Sequence, residues 1–236
     1  MWALVCASPG GHTCTHGPRP ELLVRSQLPV HASPSWVRLE VTDETGAQNT
    51  KGGAVDATRL LEQDHREVEQ LFDEFERAKG DTEKKGEIAG KIIQELSIHA
   101  AIEEEVFYPA VKAAVPDGEG LVDHSLEEHQ EVKELLADLD SMDTSDPGFH
   151  QKMEKVISDV KEHVQEEEGE MFPKFRGAIS ANELMEIGEK LEKAKKGAAT
   201  RPHPLAPNEP PGNKIASKLA AVSDKARDKL EGRESG

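Results

Sequence analysis

Apolar residues recur at three- and four-residue intervals along the middle of the chain. This period is typical of helices that bury one face, and it can be followed in four separate stretches. The stretches are separated by short breaks around Gly80, Pro116 and Pro147. Because connections this short force neighbouring helices to run antiparallel, we expect an all-α protein with an antiparallel up-down four-helix bundle. The four apolar patterns begin at Leu60, Ile88, Leu121 and Met153.

The sequence divides into four regions. Residues 1–54 are rich in Pro, Gly, Ser, Thr and His without a sustained period, and we interpret them as a disordered tail or a misassigned start. Residues 55–197 carry the bundle pattern, and the capping-box signature from Ser180 to Glu183 predicts an extra short fifth helix. Residues 198–213 form a proline-rich linker, for which we expect an extended, stiff chain. Residues 214–236 predict a short amphipathic helix that could contact the bundle or a protein partner.

The charge balance narrows the choice of partner. The formal net charge is −17, which disfavours both nucleic acid and an anionic membrane surface as partners. No apolar run approaches the roughly 20 residues that span a bilayer. The two cysteines, Cys6 and Cys14, precede the helical region, which therefore has neither a disulfide framework nor thiolate ligands. We expect a cytoplasmic protein.

The helical region is an internal duplication with an offset of 64 residues. Each copy offers one histidine on its first helix and an HxxxE pair on its second. Residues four apart share a helix face about 6 Å apart, so each pair presents an imidazole and a carboxylate together. Counted from the intervening turns, the six side chains lie at similar heights and are expected to meet in one layer of the core. They are His65, His99, Glu103, His129, His163 and Glu167.

This set of side chains predicts a metal site. Four imidazoles and two carboxylates in an apolar core would be costly without a cation. The donors suit iron, manganese or zinc, and the twofold repeat favours two metals with carboxylates free to bridge them. His124 is a candidate additional ligand, although its position about 140° around the helix from His129 also fits a role beside the site or at the surface. Tyr108 lies nine residues beyond His99 and is expected to face away and serve packing.

The same residues resemble the hemerythrin-like, or HHE cation-binding, family. The resemblance covers about residues 56–196 and includes Phe-Tyr-Pro and Met-Phe-Pro after the two HxxxE pairs. It implies two non-haem iron ions joined by an oxo or hydroxo bridge, with Glu103 and Glu167 as bridging ligands. It also implies binding of dioxygen, nitric oxide or peroxide. Oxygen-carrying members use five histidines, whereas the duplication here supplies four. The chain therefore looks more like members linked to iron-centre repair, peroxide handling or gas sensing.

Three functions remain open at this point. The first is a binding protein that takes up a small diatomic gas or peroxide for sensing, buffering or stress response. The second is an enzyme that decomposes peroxide or donates iron for iron-centre repair. The third is an interaction module in which the metal only stabilises the bundle and the C-terminal helix contacts a protein. The sequence shows no acid–base pair, nucleophile or substrate pocket that would distinguish a binding protein from an enzyme, so enzymatic activity is left undecided.

Overall fold

The computed structural model of the protein describes residues 55–231, and all regular secondary structure in that range is helical. The expected all-α fold is confirmed. The predicted N-terminal tail, residues 1–54, lies outside the described residues, as do residues 232–236. The elements in chain order are α1 (Ala57–Arg77), α2 (Thr82–Ile102), a first π-helical turn (Glu103–Phe107), α3 (Tyr108–Ala114), α4 (Gly118–Ser141), α5 (Phe149–Glu166), a second π-helical turn (Glu167–Met171), α6 (Phe172–Ala178), α7 (Ala181–Lys195) and α8 (Gly212–Glu231).

Two helical hairpins form the antiparallel bundle. Helix α1 packs against α2, and α4 packs against α5. Each second helix continues through a π turn into a further short helix, α3 or α6. The predicted four-helix bundle is thus confirmed, and its second and fourth members are longer than their α-helical parts alone.

The apolar core consists of two clusters, one above and one below a polar layer. In α1, His65 lies between Leu61 of one cluster and Val68 of the other. The same order holds in α4, where His129 lies between Val122 and Leu136. Because apolar side chains close the bundle on both sides, polar groups in the middle layer are shielded from solvent.

Polar side chains set the starts of several helices. The Asp56 carboxylate accepts from the backbone N–H of Arg59 at 3.0 Å and caps α1. Asp81 caps α2 in the same way through the N–H of Lys84. The predicted fifth helix is α7, and Ser180 and Glu183 form the expected capping box at its start. These caps satisfy backbone donors that have no partner within the helix.

The segment between α7 and α8 folds back along α4. The amide of Gln130 donates to the carbonyl of Pro204 at 3.2 Å. The guanidinium of Arg201 lies 2.9 Å from carboxylate oxygens of both Asp140 and Asp228, and all of these groups are shielded from solvent. The segment is therefore held at the bundle surface by hydrogen bonds and ion pairs, in contrast to the stiff, extended spacer expected from its prolines.

Helix α8 contacts the rest of the chain through its polar side. Asp224 and Asp228 are buried, while the apolar stripe read from the sequence points outwards. The amide of Asn213 donates to the backbone carbonyl of Glu104 at 3.0 Å, which joins α8 to the first π turn. The exposed apolar side chains are Ile215, Leu219, Val222 and Leu230.

Within residues 55–231, none of the helices combines the length and apolar character that crossing a membrane requires.

Gly188 provides a test of the close packing between α7 and the start of α1. A Cβ atom at this position would lie 1.9 Å from the carbonyl oxygen of Val55 and 3.1 Å from the amide nitrogen of Ala57. Since both are backbone atoms, Gly188→Ala must displace one of the two segments. We expect the free energy of unfolding to fall by about 1–3 kcal/mol in chemical denaturation.

Gly120 in α4 serves as the control for this variant. A Cβ atom there meets nothing within 4 Å, so Gly120→Ala should be neutral or slightly stabilising, because alanine is the better helix former. Equal unfolding free energies for the two variants would contradict the close approach of α7 to residues 55–57.

Candidate metal centre

The six candidate ligands converge in the polar layer, and all six side chains are buried. Each copy of the duplication places one histidine on its first helix, one near the end of its second helix, and its glutamate at the first position of the following π turn. Glu103 belongs to both groups of ligand atoms and therefore occupies a bridging position between them. The two groups, each with atoms within 4.8 Å of one another, are His65, His99, Glu103 and Glu167, and Glu103, His129 and His163.

Each glutamate lies between one histidine of its own copy and one of the other copy. An oxygen of Glu103 is 3.2 Å from Nε2 of His99 and 3.4 Å from Nε2 of His129. The corresponding oxygen of Glu167 is 3.4 Å from Nε2 of His65 and 3.7 Å from Nε2 of His163. The sequence duplication is thus reproduced as a twofold arrangement of nitrogen and oxygen donors.

The outward nitrogens of two histidines are fixed by carboxylates that follow the candidate ligands in sequence. His65 pairs through Nδ1 with Oε1 of Glu168 at 2.8 Å. His129 pairs through Nδ1 with Oε1 of Glu104 at 3.0 Å, and Glu104 and Glu168 are equivalent positions of the duplication. A carboxylate partner holds the proton on Nδ1, which leaves the Nε2 lone pair free to face inwards, as in metal-bound histidines.

The other two histidines differ between the copies. His163 pairs through Nδ1 with Oε2 of Glu128 at 2.8 Å. The equivalent distance, from Nδ1 of His99 to Oδ2 of Asp64, is 3.8 Å and too long for a hydrogen bond. Asp64 instead accepts from the ammonium of Lys195 on α7 at 2.6 Å. The two halves therefore share a plan but are not chemically identical.

The inward nitrogens approach each other in pairs. Nε2 of His65 lies 3.1 Å from Nε2 of His99, and the distance between Nε2 of His129 and Nε2 of His163 is 3.2 Å. Where Nδ1 carries the proton, Nε2 bears a lone pair, so facing nitrogens repel unless a proton or a cation lies between them. Burial lowers the pKa of His99 to about 4, which makes protonation of this imidazole unfavourable near neutral pH.

Three of the four oxygens of the two buried glutamates have no hydrogen-bond donor among the described residues. Among the described residues, neither oxygen of Glu103 and only one oxygen of Glu167 has a hydrogen-bond partner. Burial and the neighbouring Glu167 raise the pKa of Glu103 well above its usual value. Burial also opposes ionisation of Glu167, but His163 and His65 outweigh it and lower the pKa of that carboxyl. Unpartnered carboxylate oxygens beside imidazole lone pairs are the donor set that a divalent cation would satisfy.

Tyr108 is part of this site, and the expectation that it faces away is wrong. Its hydroxyl donates to Oε1 of Glu167 at 3.0 Å and lies 3.0 Å from Nε2 of His129. The cause is the first π turn, which accommodates an extra residue and rotates everything beyond it by about 100° relative to a continuous α-helix. The available signal was Pro109: a proline inside a helix has no N–H to donate to the carbonyl four residues earlier, and its ring clashes with that carbonyl, so the backbone before it must deviate.

The duplicate of Tyr108 is Phe172, which follows the second π turn. Its ring stacks on the imidazole of His65 with a centroid distance of 5.8 Å. Burial and the nearby carboxylates of Glu103 and Glu167 raise the pKa of Tyr108 well above its usual value. Tyr108 therefore stays protonated and offers a hydroxyl donor on one side of the site, while the other side carries a hydrocarbon ring.

His124 lies outside the six-residue group. Its side chain is 57% exposed, and Nε2 is 3.2 Å from Glu166 and 3.7 Å from Glu128. The five-residue separation from His129 places it on the outer face of α4.

A small cavity of about 40 Å³ adjoins all four histidines. Its remaining walls are mainly apolar and include Phe72, Leu96 and Leu136. This is room for about three water molecules, since one water needs about 10–15 Å³ of such a volume.

Comparison with known proteins identifies the fold and the cation-binding character of the domain. The model of the Hemerythrin HHE cation binding domain family matches residues 56–175. An uncharacterized hemerythrin-like protein of Schizosaccharomyces pombe is 30% identical over 169 residues, covering 71% of this chain and 83% of that protein. A DNA nickase of Nostoc is 31% identical over 136 residues, which span 58% of this chain but 38% of that protein.

A solved structure agrees with the sequence matches. The crystal structure of a hemerythrin HHE cation binding domain-containing protein from Mycobacterium kansasii is similar with a TM-score of 0.53 and 27% sequence identity. The similarity covers 60% of this chain and 86% of that one. The family predicted from the repeated histidine and HxxxE pattern is thereby confirmed, and the chain belongs to the hemerythrin HHE cation binding domain family.

Proposed function

We propose that the polar layer holds two non-haem iron ions and that the protein binds dioxygen, nitric oxide or peroxide there for sensing, buffering or stress response. The observation that carries the proposal is the convergence of four buried imidazoles on two buried carboxylates, three of whose four oxygens have no hydrogen-bond partner among the described residues. Bound iron would supply electron transfer to and from such small molecules. Iron is preferred over zinc or manganese because of the family resemblance, since the donor set alone suits all three.

Two ions are proposed because the donors divide into two sets. Glu103 contributes to both sets, and Glu167 lies between histidines of different copies. A carboxylate placed between two groups of imidazoles is suited to bridge two cations. Two ions that shared these six donors would retain room for a small ligand.

The residues around the donors limit what can bind. The 40 Å³ cavity beside the histidines selects by size, and its apolar walls favour small uncharged molecules. The Tyr108 hydroxyl does not line this cavity but lies 3.0 Å from both Glu167 and His129, where it could turn from Glu167 to donate a hydrogen bond to a ligand held among the donors. These features support binding of a diatomic gas or peroxide.

Peroxide decomposition is the second candidate, with iron donation for iron-centre repair as its variant. The Tyr108 hydroxyl favours peroxide decomposition over iron donation, because a protonated group beside the donors can assist cleavage of an oxygen–oxygen bond. Rapid oxygen evolution on addition of hydrogen peroxide would support an enzyme, whereas a spectral change reversed by purging would support a binder. The activity in the name of the Nostoc relative is not carried over, because the match covers 38% of that protein and the net charge of −17 disfavours DNA.

Iron content is the first test. We expect about two iron ions per chain in protein purified aerobically. His99→Ala should lose most of this iron, because removing one imidazole leaves a buried cation with one donor too few. Iron would be measured by elemental analysis together with the absorption spectrum. His150→Ala is the control, since His150 is exposed on α5 and pairs with Glu154 at 3.3 Å. Equal iron content in the two variants, or zinc in place of iron, would contradict the proposal.

A second prediction concerns the carboxylate behind His65. Glu168→Gln removes the negative charge that holds the proton on Nδ1, so we expect metal affinity to fall about 10- to 100-fold. Competition with a chromophoric chelator would measure the change. Glu170→Gln is the matched control, because Glu170 is exposed on the same π turn and pairs with Lys174. Affinity losses of similar size in both variants would point to a general charge effect instead.

A third prediction concerns the tyrosine. Tyr108→Phe copies the residue found at the duplicated position, Phe172, so the fold and iron content should be retained. We expect nitric oxide to dissociate about tenfold faster, since one hydrogen bond of about 1–1.5 kcal/mol is lost. Stopped-flow mixing with a nitric oxide scavenger would measure the rate. An unchanged rate in an iron-replete variant would exclude a role for the hydroxyl in holding the ligand.

A further inference from the structure

A second group of metal-binding side chains lies on the surface of the bundle. His124 and Glu128 are four residues apart on α4, and Glu166 comes from the end of α5. Nε2 of His124 is 3.2 Å from Oε2 of Glu166 and 3.7 Å from Oε1 of Glu128. The three ligand atoms lie within 4.8 Å of one another, as in the buried groups.

The charges in this group are not neutralised by basic side chains. Among the described residues, Glu128 and Glu166 form ion pairs only with histidines, and neither pairs with a lysine or an arginine. Elsewhere on the surface, carboxylates such as Asp117 and Glu170 share a lysine. One imidazole and two carboxylates are suitable donors for a divalent transition metal, and three protein ligands leave positions open for exchange with water.

The first copy of the duplication lacks this group. The positions equivalent to His124 and Glu166 are Leu60 and Ile102, both buried. The position equivalent to Glu128 is Asp64, whose carboxylate is paired with Lys195 of α7. Helix α7 packs on α1 and α2 and closes that side, so the surface donors occur only on the half that α7 does not cover.

The surface group is directly connected to the buried donors. The second oxygen of Glu128 accepts from Nδ1 of His163 at 2.8 Å. The opposite nitrogen of His163 faces the polar layer, 3.7 Å from Glu167. A cation held by Glu128 is therefore one imidazole ring away from the buried site.

We propose that His124, Glu128 and Glu166 form a surface divalent-cation site that captures ferrous ion and passes it to the buried centre. The inference rests on the proposed metal centre, because it assigns the surface group a role in loading that centre. The six buried side chains leave little access from solvent, and a negatively charged entry point raises the local concentration of cations. No change of oxidation state is involved in the transfer.

Binding at the surface is tested on the iron-loaded protein with zinc as the probe. Isothermal titration should detect one additional zinc ion per wild-type chain, and this ion should be absent in His124→Ala and in Glu166→Gln. His150→Ala should retain it, because His150 and Glu154 form a similar exposed pair without a third donor. Retention of the additional zinc in His124→Ala would overturn the surface site.

Transfer is tested by the rate of loading. Metal-free protein is mixed with ferrous ion under anaerobic conditions, and uptake is followed by quenching with a ferrous chelator. We expect uptake by His124→Ala and Glu166→Gln to be about tenfold slower than by wild type, with the final iron content unchanged. An unchanged rate would overturn the loading role. Loss of buried iron in His124→Ala would also overturn it, because His124 would then belong to the centre itself.

The two proposals fail in different ways. If the buried centre does not exist, wild-type protein takes up no iron that resists the chelator, whatever residue stands at position 124. If only the surface site is wrong, wild type and His124→Ala load the same iron at the same rate.

Discussion

The structure depends on the burial of ionisable donors between two apolar clusters. Two carboxylates and four imidazoles sit at mid-height in the bundle, with closed packing on both sides. Such groups are tolerated only if charge and hydrogen-bonding capacity are compensated locally. Outward nitrogens are compensated by carboxylates such as Glu168 and Glu104, while the inward atoms are left facing one another. A cation bound among these donors would therefore stabilise the fold as well as satisfy the inward atoms.

The π turns adapt a simple duplicated hairpin to this chemistry. Each begins at a buried glutamate and is followed by an aromatic residue and a proline. The wider turn relieves the conflict between proline and regular α-helical bonding, and it rotates the aromatic ring towards the histidines. At these two rings the copies have diverged, with Tyr108 in one and Phe172 in the other. A scaffold built from two equal halves thus presents two unequal surroundings to its donors.

Much of this could be predicted from sequence because α-helical geometry is regular. A fixed rise per residue places His65, His99 and the four other donors at one level, and the structure brings these six together. Tyr108 could not be placed, since α-helical periodicity does not include the extra residue of a π turn. The docking of α8 was equally hidden: its apolar stripe suggested a buried face, but the buried side chains include Asp224 and Asp228, which pair with His203 and Arg201 of the segment before α8. Local patterns predict elements well and long-range ion pairs poorly.

The contacts that support the six candidate ligands extend beyond the residues that the family model matches. The family match ends at residue 175, before α7 and α8 begin. Yet Lys195 of α7 donates to Asp64, whose carboxylate lies near His99, and Asn213 of α8 donates to the backbone carbonyl of Glu104, next to Glu103. A chain trimmed to residues 56–175 would keep all six candidate ligands but lose the hydrogen bonds donated by Lys195 and Asn213. Limits drawn from the family model alone are therefore too narrow for a minimal version of this protein that keeps these two contacts.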